Sequence, residues 1–139
     1  MNNINMFFHI SDQELMPVGV TFDRITNLDN YDNDSIDSII IQDLLDYYII
    51  EEDYRVLYKL YEKLKPGGKI EIQSIDIKKL CIAIAFNEIN ENFVQHILYP
   101  YKQSIHSINQ IQSFLNKIGF SIEVKKYVNA LEYYFIAIK

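Results

Sequence analysis

The sequence holds one cysteine, no tryptophan, no cluster of basic residues and no long apolar run. A single thiol excludes an internal disulfide and leaves too few sulfurs for a cysteine-based zinc site. That thiol, Cys81, lies in the apolar stretch Leu80 to Phe86, where a small buried side chain is the expected role. Thirteen Lys and Arg face 19 Asp and Glu, for a formal net charge of -6. Lysines that stand close together, such as Lys63 and Lys65 or Lys125 and Lys126, form only short, separated groups. This argues against a surface that tracks nucleic-acid phosphates. No apolar stretch approaches the roughly 20 residues that span a bilayer. No charged segment followed by a long apolar core opens the chain. The expectation is a cytoplasmic protein without a membrane segment.

What is present is a globular composition, 49% hydrophobic, on a length that suits one domain over residues 1–139. Asn5 to Ile10 has the length of a buried strand. Ser11-Asp12-Gln13 reads as a turn or cap, and Val18 to Phe22 as a second β-rich run. Asp29 to Ser35 is turn-forming, because Asn and Asp side chains satisfy nearby backbone groups. The isoleucine-rich run Ile36 to Ile41 suits a central parallel strand covered by helices on both faces. Tyr54, Leu57, Tyr58, Tyr61 and Leu64 recur at three- and four-residue spacing, which predicts an amphipathic helix over Glu51 to Leu64. Pro66-Gly67-Gly68 stops it. Lys69 to Ile75 returns to strand character, Ile77 to Asn87 reads as helix, and Tyr99-Pro100-Tyr101 breaks the chain. Ile108, Ile111, Leu115 and Ile118 mark a helix ending at Gly119. Phe120 to Tyr127 and Glu132 to Ile138 then form an antiparallel hairpin. This order predicts an α/β fold: a mostly parallel sheet flanked by helices, closing with an antiparallel edge.

Two segments carry more specific information. Asn33 to Tyr47 reads Asn-Asp-Ser-Ile-Asp-Ser-Ile-Ile-Ile-Gln-Asp-Leu-Leu-Asp-Tyr, and Tyr54 to Gly68 ends in Leu-Lys-Pro-Gly-Gly. Together they resemble class I S-adenosylmethionine-dependent methyltransferases. The first is similar to the family's fourth strand, with its D-N-S-F-D-L-V and following L-E-H. The second is similar to the helix and L-K-P-G-G turn before the fifth strand. Lys69 to Asp76 with Lys78-Lys79-Leu80, and His106 to Phe120, continue the likeness, which covers roughly residues 20–139. It implies a Rossmann-like sheet and S-adenosylmethionine as cofactor.

The front of the chain departs from that family. Its members bind the cofactor at a glycine-rich turn after the first strand, where glycine lets the backbone approach the ligand and a helix N-terminus offers free N–H groups. Here Phe7-Phe8-His9 falls in the matching place, and Gly19 stands alone. The distance from Met1 to the fourth-strand segment is too short for three strand–helix units, so one or more N-terminal units are expected to be missing. Met6 to Ile10 reads either as the first strand with its helix lost, or as a later strand in a chain without the first.

Under the resemblance, Asp23 stands where the family places a ribose-binding or an adenine-contacting acid; its bland role is a turn or cap. Gln42 and Asp43 follow the fourth-strand segment, where open α/β sheets bind ligands. These three are the candidate cofactor-binding residues, and no catalytic residue is assigned. Asp46-Tyr47 replaces the frequent Glu-His pair and lacks its neutral-pH base, so Asp46 is expected to be structural. His9 and His106 are also expected to be structural. His96 and His106 are not an i, i+4 pair, so no metal site is expected. The altered front favours a methyltransferase-like domain degenerate in cofactor binding that serves as a binding or assembly module. The alternative is an active S-adenosylmethionine-dependent methyltransferase on a small or unknown acceptor. A shortened sheet exposes an edge that must be capped. A homodimer is therefore expected, through that edge or the tyrosine-bearing helix, and a protein partner is compatible.

Overall fold

The structure is a computed structural model that describes residues 3–9, 19–98 and 102–139. Its strands are β1 (Asn5–His9), β2 (Thr21–Arg24), β3 (Ile36–Gln42), β4 (Leu64–Ile75), β5 (Ser121–Tyr127) and β6 (Glu132–Ile138). Its helices are α1 (Ile50–Lys63), α2 (Ile77–Ala85), α3 (Glu91–Leu98) and α4 (Ile108–Ile118), with 3-10 turns at Ile25–Asn30 and Leu45–Tyr47. One six-stranded sheet runs in the order β2-β1-β3-β4-β6-β5. β2, β1, β3 and β4 pair in parallel, and β6 lies antiparallel between β4 and β5. The mixed α/β architecture with its C-terminal hairpin is the one expected from the sequence. The second strand is Thr21–Arg24 rather than Val18–Phe22, and the Ser11-Asp12-Gln13 and Tyr99-Pro100-Tyr101 segments lie outside the described residues.

The register stacks apolar side chains in rows across the sheet. Phe8, Ile41, Ile72 and Phe135 are consecutive partners on neighbouring strands, as are Met6, Ile39, Ile70 and Ala137. Both rows are buried in one core with Ile25 and Leu28, Leu57 and Leu60 of α1, and Ile111, Leu115 and Ile118 of α4. The alternate positions face the other way: Phe22, Phe7, Ile40, Glu71, Ile136 and Val124 form a row. Most of that row is only partly buried. α2 and α3 place no residue in the core cluster. α1 and α4 therefore cover this face, while Leu80 and Ala83 of α2 are buried outside that cluster. On the other face of β3, Ile40 is partly buried.

β4 begins at Leu64 rather than Lys69, so the Lys65-Pro66-Gly67-Gly68 segment lies at its start, and its geometry explains its sequence. α1 ends at Lys63 and Leu64 is already extended. Gly67 adopts φ +79, a conformation costly for any residue with a Cβ. A Cβ on Gly68 would lie 2.8 Å from the Lys65 carbonyl oxygen and 3.0 Å from that of Asp37. The first glycine is needed for its conformation and the second for space. α4 is framed by a capping box, with Ser107 Oγ accepting from Gln110 N, and by Gly119 at φ +113.

Candidate functional site

Strand order reverses between β1 and β3, and in open α/β sheets ligands bind beyond the strand C-termini at such a point. The three relevant strands end together, because Phe8 is level with both Asp23 and Ile41. Asp23 therefore stands two strand spacings, about 10 Å, from the end of β3. Phe7 and Phe8 lie inside β1 rather than in the turn after it. Phe8 belongs to the core and Phe7 stacks on Phe22 with ring centroids 5.4 Å apart. They fill the sheet and do not obstruct a crevice, which corrects the reading of Phe7-Phe8-His9 as the cofactor turn. The His9 side chain and residues 10–18 lie outside the described residues.

Asp23 is engaged by its own neighbourhood. Its Oδ1 accepts from Arg24 N at 2.8 Å and Asn27 Nδ2 at 2.7 Å, and its Oδ2 accepts from Tyr31 Oη at 2.5 Å. Burial, the hydrogen bond to Asp23 and its negative charge together push the Tyr31 phenol up to about 12. The carboxylate thus organises the turn Ile25–Asn30 that follows it.

At the end of β3, Gln42 is exposed and Asp43 turns the chain at φ +53, donating its N–H to the Gln73 carbonyl at 2.9 Å. Ser74 Oγ lies 3.0 Å from Asp43 Oδ1 and 2.8 Å from Asp46 Oδ2. The Ser74 hydroxyl thus bridges the two carboxyl groups. Burial raises both carboxyls from their ordinary value, with the Lys102 ammonium opposing the shift. Lys102 pairs with Asp46 Oδ2, Gln103 N donates to the Asp46 carbonyl at 2.6 Å, and Asp46 itself is fully buried. Asp46 ties the irregular segment before α4 to the turn after β3. Tyr133 brings a buried hydroxyl without a well-formed hydrogen bond, pushed well above its ordinary value first by burial and then by the nearby Asp46.

His106 is buried and structural in position. Its Nε2 lies 2.6 Å from Asp53 Oδ2, at an angle outside hydrogen-bond geometry, and its ring packs edge-on against Phe114. His96 sits on the exposed side of α3, and among the described residues no acidic, histidine or cysteine cluster could hold a metal ion. Cys81 is exposed, which overturns its expected burial. Sequence reasoning missed a groove of about 430 Å³ between the turn Ile25–Asn30 and the first half of α1. Thr26, Asp29, Tyr48, Glu52, Arg55 and Lys59 line it, whereas Asp23, Gln42 and Asp43 do not. The i, i+4 pair Arg55 and Lys59 was legible, but not which turn would face it.

No family model matches the chain and no curated protein matches it. Solved structures do match in fold. A SAM-dependent methyltransferase from Archaeoglobus fulgidus aligns with a TM-score of 0.61 at 18% identity, over 86% of this chain and 67% of that one. Magnesium protoporphyrin IX methyltransferase from Synechocystis, solved with bound SAH, aligns at 0.58 and 18%, over 86% and 51%. A Haloferax volcanii protein provisionally assigned as a methyltransferase, solved with the Trm112 methyltransferase activator, aligns at 0.62 and 12%, over 89% and 63%. The chain therefore has the fold of class I SAM-dependent methyltransferases. It spans between about half and two thirds of those three chains' lengths. Among the described residues no helix is long and apolar enough to cross a membrane.

Proposed function

We propose that this chain is a methyltransferase-fold domain whose N-terminal unit is shortened, which has lost S-adenosylmethionine binding and acts in the cytoplasm as a self-associating assembly module. The observation that carries the reading is the Asp23 carboxylate, both of whose oxygens are engaged by Asn27, Tyr31 and the Arg24 backbone. A ribose or adenine contact at Asp23 would have to displace those bonds. Asp43 is likewise bonded to Ser74. No glycine occurs between β1 and Gly19, so a close backbone approach to a ligand has no support there. The position of β1 beside β3 favours reading it as the family's first strand. Asp23, Gln42 and Asp43 stay as the residues a cofactor would meet if one bound.

The alternative, an active methyltransferase, draws on the fold and on the Asn33–Tyr47 and Tyr54–Gly68 segments, both of which also stabilise the sheet. Methyl transfer needs little from side chains beyond proximity and orientation, because the sulfonium already activates the methyl group. Binding therefore separates the two readings better than a search for catalytic residues. In calorimetry with S-adenosylmethionine and S-adenosylhomocysteine up to millimolar, no heat and no thermal stabilisation are expected. Saturable binding of either ligand, weakened by Asp23→Ala, would overturn the loss of cofactor binding and turn the search to methyl acceptors.

A further inference from the structure

Among the described residues, exposed large apolar side chains concentrate on and between α2 and α3, at Ile82, Ile84, Phe86, Phe93 and Leu98. Of α2 only Leu80 and Ala83 are buried, and α3 buries no residue at all. Ile82 is 48% exposed, Phe86 73% and Phe93 51%. An eight-residue helix with no buried side chain has little to hold it in water, since helices this short depend on packing of an apolar face. Apolar patches of this kind mark contact surfaces.

The charges around the patch say what fits it. On α2 the outward stripe is Lys78, Cys81, Ile82 and Ala85, at three- and four-residue spacing, and all four are exposed. Lys78 and Lys79 stand at its N-terminal end, while Glu88 and Glu91 stand beyond its C-terminal end. The surface is thus basic at one end, apolar in the middle and acidic at the other. A two-fold axis through the middle of α2 brings each basic end against the partner's acidic end, and apolar centre against apolar centre. That is the self-complementarity an isologous interface requires. Small residues at Cys81 and Ala85 let the two helices approach closely. An anionic lipid surface is the poorer match, because Glu88 and Glu91 flank the patch and the chain carries a net charge of -6.

We infer that a second copy of this chain docks on the patch, with α2 packed antiparallel against its mate. This rests on the self-association proposed above and replaces the sheet edge and the tyrosine-bearing α1 as its location. The test combines light scattering of the full chain at tens of micromolar with thiol cross-linking by a short bis-maleimide. Cys81 is the only cysteine, so any covalent dimer reports its distance from its mate. The expected result is a dimer that cross-links efficiently, dissociates in Ile82→Asp, weakens at least tenfold in Lys78→Glu, and recovers in the Lys78→Glu/Glu88→Lys double variant. Circular dichroism verifies that each variant is folded. A dimer unaffected by Ile82→Asp and not cross-linked would overturn this surface while leaving self-association standing. A monomer would overturn both, as would a monomer that co-sediments with phosphatidylserine vesicles.

Discussion

The residues that looked most like ligand contacts are those most occupied by the fold itself. Asp23 and Asp43 hold strand-end turns, and Asp46 is buried against Lys102 and Ser74. Their residue types and positions were legible in the sequence, but their partners were not, because Asn27, Tyr31, Ser74 and Lys102 reach them only through turn geometry and tertiary contact. Asp46 gives a pH prediction. Burial raises its carboxyl above the ordinary range more than Lys102 lowers it, so the folded state holds that proton more tightly than the unfolded chain. The group's contribution to stability is therefore full below the ordinary carboxylate value of about 4 and is lost as pH rises through the raised value. Asp43 is shifted in the same direction. Asp46→Asn mimics the protonated form and removes that slope. Melting temperatures measured upward from pH 4 should show the variant gaining on the wild type as pH rises. A constant offset would mean that the carboxyl is not perturbed.

At the scale of elements, apolar spacing located α1 and α4 to within a residue or two, and the Lys-Pro-Gly-Gly turn was readable because both glycines answer local demands. α3 was not foreseen because the Asn-rich segment before it carries no apolar period, although Phe93, Val94, Ile97 and Leu98 fall at helical spacing. The least visible device was Asp76. One oxygen accepts from Lys78 N at 2.8 Å and Lys79 N at 3.0 Å, capping α2. The other accepts from Ile108 N at 2.8 Å, at the start of α4, and from Tyr127 Oη at 3.1 Å. A single buried carboxylate therefore serves the starts of two helices and the end of β5. A helix cap lost to alanine costs about 1 kcal/mol, and that is the expectation for Ser107→Ala, which caps α4 alone. Asp76→Ala removes two caps and leaves buried N–H groups unpaired, so urea unfolding should give a loss of about 3 kcal/mol. Equal losses for the two variants would show that α2 gains nothing from its cap.

For the whole molecule, the sheet is asymmetric. Alternation along β6 puts Tyr133, Phe135 and Ala137 under α1 and α4, while Tyr134, Ile136 and Ile138 stay partly exposed. The opposite face is held by polar pairs instead, with Tyr134 Oη donating to Glu71 at 2.9 Å and Gln73 Nε2 to Glu132 at 2.7 Å. The isoleucine-rich β3 did not reveal this in the sequence, because a run without alternation does not distinguish the two faces. Polar residues on the neighbouring β4, Lys69, Glu71 and Gln73, were the signal available. The asymmetry sets the cost of truncation. Phe135→Ala opens a cavity in a core that cannot easily collapse and should cost about 3–5 kcal/mol. Ile136→Ala, one residue away on the partly open face, removes contacts already shared with water and should cost roughly 1 kcal/mol. Urea unfolding of the two variants measures the difference directly. Comparable losses would mean that the second face is covered in solution, and Ile136 would then mark the contact.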